Sequence, residues 1–403
     1  VTPTSARSQG LPAGRSVVVC SAHHYRSAVQ VSAHHYARLF ARDGWRVLFL
    51  STPVTPFHAL AVPRSPDHRS RLAAWWHRGQ RDEATGVTQF MPMTVLPLSS
   101  VVGLRYPWVL RDWWRFTVPP VAKELRSLGF SRPDLAVIDS VLGAFILGAL
   151  APATSVYRMT DYNPGFASST EQLAVLEAEL AQRVDMVAVT TAELVPVARH
   201  LAPGKAVLHL PHGVDFGHFA NPGPVPADLA RLPRPIAIYV GSLREWFDFD
   251  LVGQLAEQLP DVSFVLVGPE RPARRRLASR PNLHLLGERP YRDVPSYLAA
   301  ADVGLIPFDR ARYGALVDHV NPLKLYEYMA AGLPVVATES AVLRRLASPA
   351  LLCAEPRQFA GLLAQALGSA PALGAAGRRF AREHSWEASY RALLAAVEAA
   401  SNP

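Results

Sequence analysis

Apolar and polar positions along this chain fall into two alternating patterns. Short continuous apolar runs, each bounded by turn residues, recur at Ser16–Cys20, Arg46–Leu50, Leu135–Ile138, Ser155–Tyr157, Met186–Thr190 and Ala206–Leu210. A second series follows at Pro235–Gly241, Ser263–Gly268, Leu283–Gly287, Val303–Pro307, Pro334–Ala337 and Leu351–Cys353. Between them lie segments with apolar residues three and four apart, such as Val31–Asp43, Ser169–Arg183 and Asp293–Ala300. Continuous runs of this length predict strands buried on both faces, and the intervening period predicts helices that cover them. The expected fold class is α/β with two doubly wound parallel sheets. The stretch from Pro211 to Pro235, rich in Pro and Gly, separates the two series. The expected layout is a loose tail over 1–15, a first domain over 16–215, a second over 216–383 and a terminal helix over 384–403 with one aromatic–aliphatic stripe.

One segment carries more chemistry than the rest. NPLKLYEYMAAGLPVVAT, from Asn321 to Thr338, predicts a helix, a turn and a buried strand. Pro322 suits the first turn of a helix, where its missing N–H costs nothing. Gly332 is a natural left-handed stop, and Pro334 prevents the helix from resuming. Lys324 and Glu327 lie three apart near the helix start and project from neighbouring positions. A helix N-terminus with a lysine beside it attracts an anion. A carboxylate one turn on can accept two hydroxyls from a ribose. The ordinary alternative is an amphipathic helix with a solvated Lys–Glu pair.

This segment resembles the donor-binding segment of group 1 nucleotide-sugar glycosyltransferases of the GT-B fold. The resemblance implies two Rossmann-like domains facing a cleft, with a nucleotide-sugar co-substrate, UDP-linked, on the second. It implies that Glu327 holds the ribose and that Lys324 meets the diphosphate, with Asn321 and Leu323 at the helix start. It also implies that the terminal helix returns to the first domain. YVGSL, Tyr239 to Leu243, matches the family loop that faces the donor phosphates. There Gly241 permits close backbone approach, and Ser242 can cap the next helix or bond a phosphate oxygen. The family continues with an Arg and a Lys–Gly pair; here REWFDFD follows, and Arg244 is the available substitute. In the block from Leu286 to Phe308, Tyr291 stands where the family packs on the base; it either stacks on uracil or covers the sheet end. His319 occupies the place of a second Glu found in the retaining branch.

The first domain supplies the expected base. In VYRMTDYNPGF, Asp161 directly follows a predicted strand, where open α/β sheets place ligands. This block and SAHHYR resemble the xanthan glucuronosyltransferase, an inverting GT-B enzyme whose general base is the matching Asp. The resemblance implies that His23, Tyr25 and Arg26 line an acceptor side. The plain alternative for Asp161 is a turn or cap aspartate. A retaining transferase of the same fold, and a nucleotide-sugar-binding protein without turnover, stay open as rival functions.

Composition narrows the partners. Of 403 residues, 41 are Lys or Arg and 33 Asp or Glu, for a net charge of +8, which favours anionic partners. Five tryptophans (Trp75, Trp76, Trp108, Trp113, Trp114) and five arginines (Arg71, Arg78, Arg105, Arg111, Arg115) interleave over 71–115. Such a surface suits peripheral contact with a membrane interface and a glycan or lipid-linked acceptor; the alternative is simple core packing. No nucleic-acid-binding pattern is present. No G-x-G-x-x-G follows the opening strand, where CSAHHYRS stands instead, so a resident dinucleotide cofactor is not expected. His23, His24, His34 and His35 have no Cys or carboxylate at ligand spacing, and no metal is expected. Two cysteines in apolar runs and a polar opening segment without a secretory pattern lead to an expected cytoplasmic location, peripheral on the inner face of the plasma membrane.

Overall fold

The computed structural model describes residues 14–27, 29–56, 58, 66–96, 98, 107–165 and 170–401. Residues 1–13 of the expected tail and Arg105 of the Trp/Arg region lie outside the described residues. Seven strands form the first sheet: β1 (Ser16–Ser21), β2 (Arg46–Ser51), β3 (Val87–Phe90), β4 (Leu135–Ile138), β5 (Thr154–Met159), β6 (Met186–Val189) and β7 (Ala206–His209). Their order is β3-β2-β1-β4-β5-β6-β7 and every pairing is parallel. Six strands form the second: β8 (Ile236–Val240), β9 (Ser263–Val267), β10 (Leu283–Gly287), β11 (Val303–Ile306), β12 (Val335–Thr338) and β13 (Leu351–Cys353). They run β10-β9-β8-β11-β12-β13, again parallel throughout.

The central strands are buried on both faces, as their unbroken apolar runs require: all six residues of β1 and all four of β4 are inaccessible. β3 escaped the sequence pattern. It is a four-residue edge strand, VTQF, whose polar Thr88 and Gln89 interrupt the apolar run. In each sheet the strand order reverses at one place, between β1 and β4 and between β8 and β11. Loops diverge there and leave a crevice at the carboxyl ends of the strands.

The helices that bear on the site are α1 (Ser32–Arg42), α2 (Glu171–Arg183), α3 (Phe249–Gln258), α4 (Leu323–Ala331), α5 (Ala370–Glu383) and α6 (Trp386–Ser401). The chain passes from the first sheet to the second through Pro211–Asp215 and returns just before α6. These two crossings touch. Val214 N–H donates to the His384 carbonyl at 3.0 Å, and a side chain on Gly213 would lie 2.6 Å from the backbone of Ser385 and Trp386. Only glycine allows that approach. α6 then packs on the first domain. Tyr36 Oη and Ser389 Oγ share a hydrogen bond of 2.7 Å, and Phe40 meets Tyr390 edge-on at 4.9 Å.

The Trp/Arg region is divided between inside and surface. Trp113 is 1% exposed and donates its indole N–H to the Leu142 carbonyl at 3.1 Å. Trp114 stacks on Phe145, and Trp75 lies under Arg78. Arg71 bonds Thr52; Arg78, Arg111 and Arg115 pair with Glu124, Glu179 and Asp112. Of the five tryptophans, only Trp76 and Trp108 are exposed.

Candidate active site

α4 begins where the sequence pattern placed it, but Pro322 sits at the N-cap rather than in the first turn. No side chain caps this end. Gly332 ends the helix with φ +80°, and Leu333 N–H returns to the Tyr328 carbonyl at 2.9 Å. Tyr328 fixes the helix against the second sheet: Val240 N–H, at the end of β8, donates to its hydroxyl at 2.7 Å. The Gly241 loop and the start of α4 are thereby held side by side.

Lys324 projects into that junction. Its Nζ lies 5.2 Å from the ring centroid of Tyr239 and 5.3 Å from that of Phe308. Two aromatic faces hold the ammonium in place of water. Gly241 makes room for it. Its φ is +146°, and a Cβ there would stand 3.2 Å from Lys324 Cε and 3.4 Å from the Tyr239 hydroxyl. Burial lowers the Lys324 ammonium to about 8, with the charge of Glu327 acting in the opposite sense. Burial likewise raises the Glu327 carboxyl to about 7 against the pull of Lys324. Each is half-buried, open to solvent only through the cleft it lines.

That cleft holds about 350 Å³. The second domain lines it with Gly241, Ser242, Tyr291, Leu323, Lys324 and Glu327, and the first with His23, Val31 and Asp161. A second cavity of about 380 Å³ adjoins it in the first domain and shares His23, Val31, Asp161 and Leu323 with it. Asp161 follows β5 and accepts a 3.0 Å hydrogen bond from Thr160 Oγ1. Burial holds its carboxyl above the usual aspartate range, opposed by that bond.

Several expected site residues lie elsewhere. Tyr25 is buried, donates its hydroxyl to Thr85 at 2.8 Å and packs on Phe49; Arg26 is exposed. Neither lines either cavity. Arg244 is exposed and outside the cleft. Ser242 lines the cleft but caps no helix; α3 starts seven residues later, capped by Asp248, which accepts from Leu251 N–H at 2.8 Å. His319 lines neither cavity. It stacks on Tyr162 at 4.6 Å and bonds the Ala315 carbonyl at 2.7 Å. Asn321 is buried and lines the second cavity, not the cleft. Tyr291 lines the cleft with one face stacked on His218 at 4.6 Å. Phe308, Asp139, Glu177 and His212 were not singled out from the sequence; each is an isolated residue at a strand end, on a helix or in the crossing. Among the described residues no group of His, Cys, Asp and Glu has the arrangement of a metal site.

Two facing Rossmann-like sheets with a shared cleft define a GT-B fold, and the comparisons with known proteins agree. Residues 234–369 match the family model for glycosyl transferases group 1. Residues 19–190 match the model for the N-terminal domain of glucuronosyltransferase GumK. The two halves of this GT-B chain thus each match a glycosyltransferase family model. It is 29% identical over 170 residues to TuaH of Bacillus subtilis (strain 168), whose name assigns it to teichuronic acid biosynthesis as a glycosyltransferase. That match spans 40% of this chain and 42% of the relative's length. Among solved structures, the sucrose-phosphate synthase of Thermosynechococcus elongatus superposes with a TM-score of 0.71 at 18% identity, over 95% of this chain and 100% of the other. Anabaena Alr3699/HepE in complex with UDP and glucose superposes with a TM-score of 0.66 at 15% identity, over 95% and 99%. At these identities the likeness concerns the fold.

Proposed function

We propose that this protein transfers a sugar from a UDP-sugar to a hydroxyl of a glycan or lipid-linked acceptor, with inversion at the anomeric carbon. The observation that carries this reading is the placement of Lys324, Glu327 and Asp161 on opposite walls of one cleft. Glu327 accepts the ribose hydroxyls. Lys324 and the uncapped start of α4 hold the diphosphate, where negative charge grows as the bond to the sugar breaks. Asp161 takes the acceptor hydroxyl proton while that oxygen bonds to the anomeric carbon, and UDP leaves. The complexes of Alr3699/HepE with UDP-glucose and UDP support the choice of nucleotide by analogy. His319, stacked on Tyr162 outside the cleft, gives no support to a retaining mechanism that depends on it. Calorimetric titration with UDP and GDP, with and without EDTA, tests the donor site. UDP-selective, EDTA-insensitive binding is expected. NMR of the product then reads the mechanism, and a retained anomer would remove Asp161 from the role of base.

The acceptor reaches the cleft from a membrane surface in this reading. No single helix among the described residues is long and apolar enough to cross a bilayer. A compact apolar patch is exposed instead: Trp108 (47%), Phe116 (41%), Val118 (58%) and Val95 (51%). Val95 N–H bonds the Phe116 carbonyl and the rings of Trp108 and Phe116 stand 6.3 Å apart, so these residues adjoin. With the net positive charge, the patch suits an anionic lipid interface. Flotation with phosphatidylglycerol vesicles is expected to recover the protein, and Trp108→Ser with Phe116→Ser to abolish recovery. Equal flotation of both proteins would remove the patch from this role.

A further inference from the structure

The cavity beside Asp161 has a chemistry opposite to that of the protein as a whole. Asp139 at the end of β4, Glu177 on α2, His212 in the interdomain crossing and Asn321 before α4 all line it. No Lys or Arg lines it among the described residues. Arg158, 1% exposed, lies behind Asp139 and is not part of the lining, and its Nε and Nη2 have no protein partner. Its Nη1 donates to Asp139 Oδ2 at 2.7 Å and to Ser32 Oγ at 2.9 Å. Glu177 receives the Tyr157 hydroxyl at 2.5 Å and Asn163 Nδ2 at 2.7 Å.

Three lining side chains each retain a polar atom without a protein partner: Asp139 Oδ1, Asn321 Oδ1 and His212 Nδ1. All three side chains are more than nine-tenths buried, at 7%, 5% and 7% exposure. Folded proteins rarely leave buried polar atoms unmatched, and such groups mark places where a ligand or water completes the bonding. Two of the three atoms are oxygens that can only accept. A ligand rich in hydroxyl donors satisfies them. A carboxylate or phosphate brings more acceptors, touches no cation on the lining, and meets Asp139, Asp161 and Glu177 there.

Resting on the transferase reading above, we infer that this chamber is the acceptor subsite, and that it takes an uncharged pyranose with several free hydroxyls and discriminates against an anionic sugar end. Asn321 lies three residues before Lys324, so one short segment reaches both substrates' cavities. The basic character of the chain then belongs to the donor diphosphate and the outer surface, and not to the acceptor sugar.

Saturation-transfer NMR on the UDP-loaded protein tests this, with a panel of neutral methyl hexopyranosides and methyl β-D-glucuronide as probes. At least one neutral glycoside is expected to bind, and the glucuronide to bind roughly tenfold more weakly or not at all. Glu177→Gln is expected to narrow that difference. Asn321→Leu, and His212→Phe, which keeps the ring contact with Trp386 at 5.7 Å, are expected to weaken glycoside binding roughly tenfold. UDP affinity by calorimetry is expected to stay within about twofold of the parent. Binding of no neutral glycoside, equal binding of the glucuronide, or glycoside binding unmoved by both substitutions would overturn the inference. Failure of UDP itself to bind would count against the transferase reading alone, because the same titration without UDP still reports on the chamber.

Discussion

The two walls of the cleft are built in opposite ways. On the second domain, Pro322, Leu323, Lys324 and Glu327 come from one turn and a half of one helix, beside a glycine loop held by Tyr328. On the first, Asp161 lines the cleft from a strand end, and Asp139, Glu177 and His212 line the adjoining cavity from a second strand end, a helix and the crossing between domains. One wall offers a caged ammonium, the other a ring of carboxylates. The difference teaches that the second-domain wall pairs its ammonium with a carboxylate, whereas the first-domain side gathers carboxylates with no Lys or Arg among the described lining residues. The group expected to stabilise an anion and the group expected to accept a proton come from separate domains and line the same cleft.

Substitutions on the two walls should therefore fail differently. Asp161→Asn is expected to lower turnover roughly a hundredfold or more, the usual scale for a general base, with UDP affinity nearly unchanged. Unaltered turnover would end the assignment. Glu327→Ala should weaken UDP roughly ten- to hundredfold in calorimetry, the scale of lost hydrogen bonds to a charged group. If UDP binds it as tightly as the parent, the donor wall has been misread. Gly241→Ala places a methyl 3.2 Å from Lys324 Cε at a φ of +146°, and should both weaken UDP severalfold and lower stability by about 1–3 kcal/mol in denaturant titration. Retained UDP affinity there would mean that Lys324 has room to shift.

The smallest effect expected is the most diagnostic of the donor wall. Glu327 is raised to about 7 and Lys324 lowered to about 8, each by burial. Ionised Glu327 accepts hydroxyls and protonated Lys324 pairs with phosphate. UDP affinity should therefore rise as pH increases through about 7, fall as pH passes about 8, and peak between. Glu327→Gln should remove the acid limb and leave the alkaline one. An affinity that is flat across this range would show that neither charge meets the nucleotide.

The donor wall was legible because a helix start, a spacing of three and a glycine stop all lie within eighteen consecutive residues, and local geometry then fixes their mutual placement. Much of the first-domain wall was not. Asp161 was visible as a polar residue at a strand end, but Asp139, just past the apolar run Leu135–Ile138, carried no signal beyond an ordinary polar boundary. Tyr25 and Arg26 were expected to line the acceptor side from the resemblance carried by SAHHYR, yet Tyr25 is buried against Phe49. His319 aligned with a catalytic position but stacks on Tyr162. The interleaved tryptophans could not be sorted into Trp113, inside, and Trp108, outside, because both environments accept an amphipathic ring.

The sequence by itself determined the alternation of strands and helices, hence two parallel doubly wound sheets, and the start, Lys–Glu spacing and glycine stop of the helix Leu323–Ala331. Periodicity and turn chemistry act over a few residues, and that is the range they cover. Only the tertiary structure decided which wall each charge occupies, that residues 139, 161, 177, 212 and 321 share a chamber, and which aromatic rings face solvent. Those outcomes depend on strand order at the switch point and on contacts between residues far apart in the chain, where side-chain direction follows packing rather than spacing.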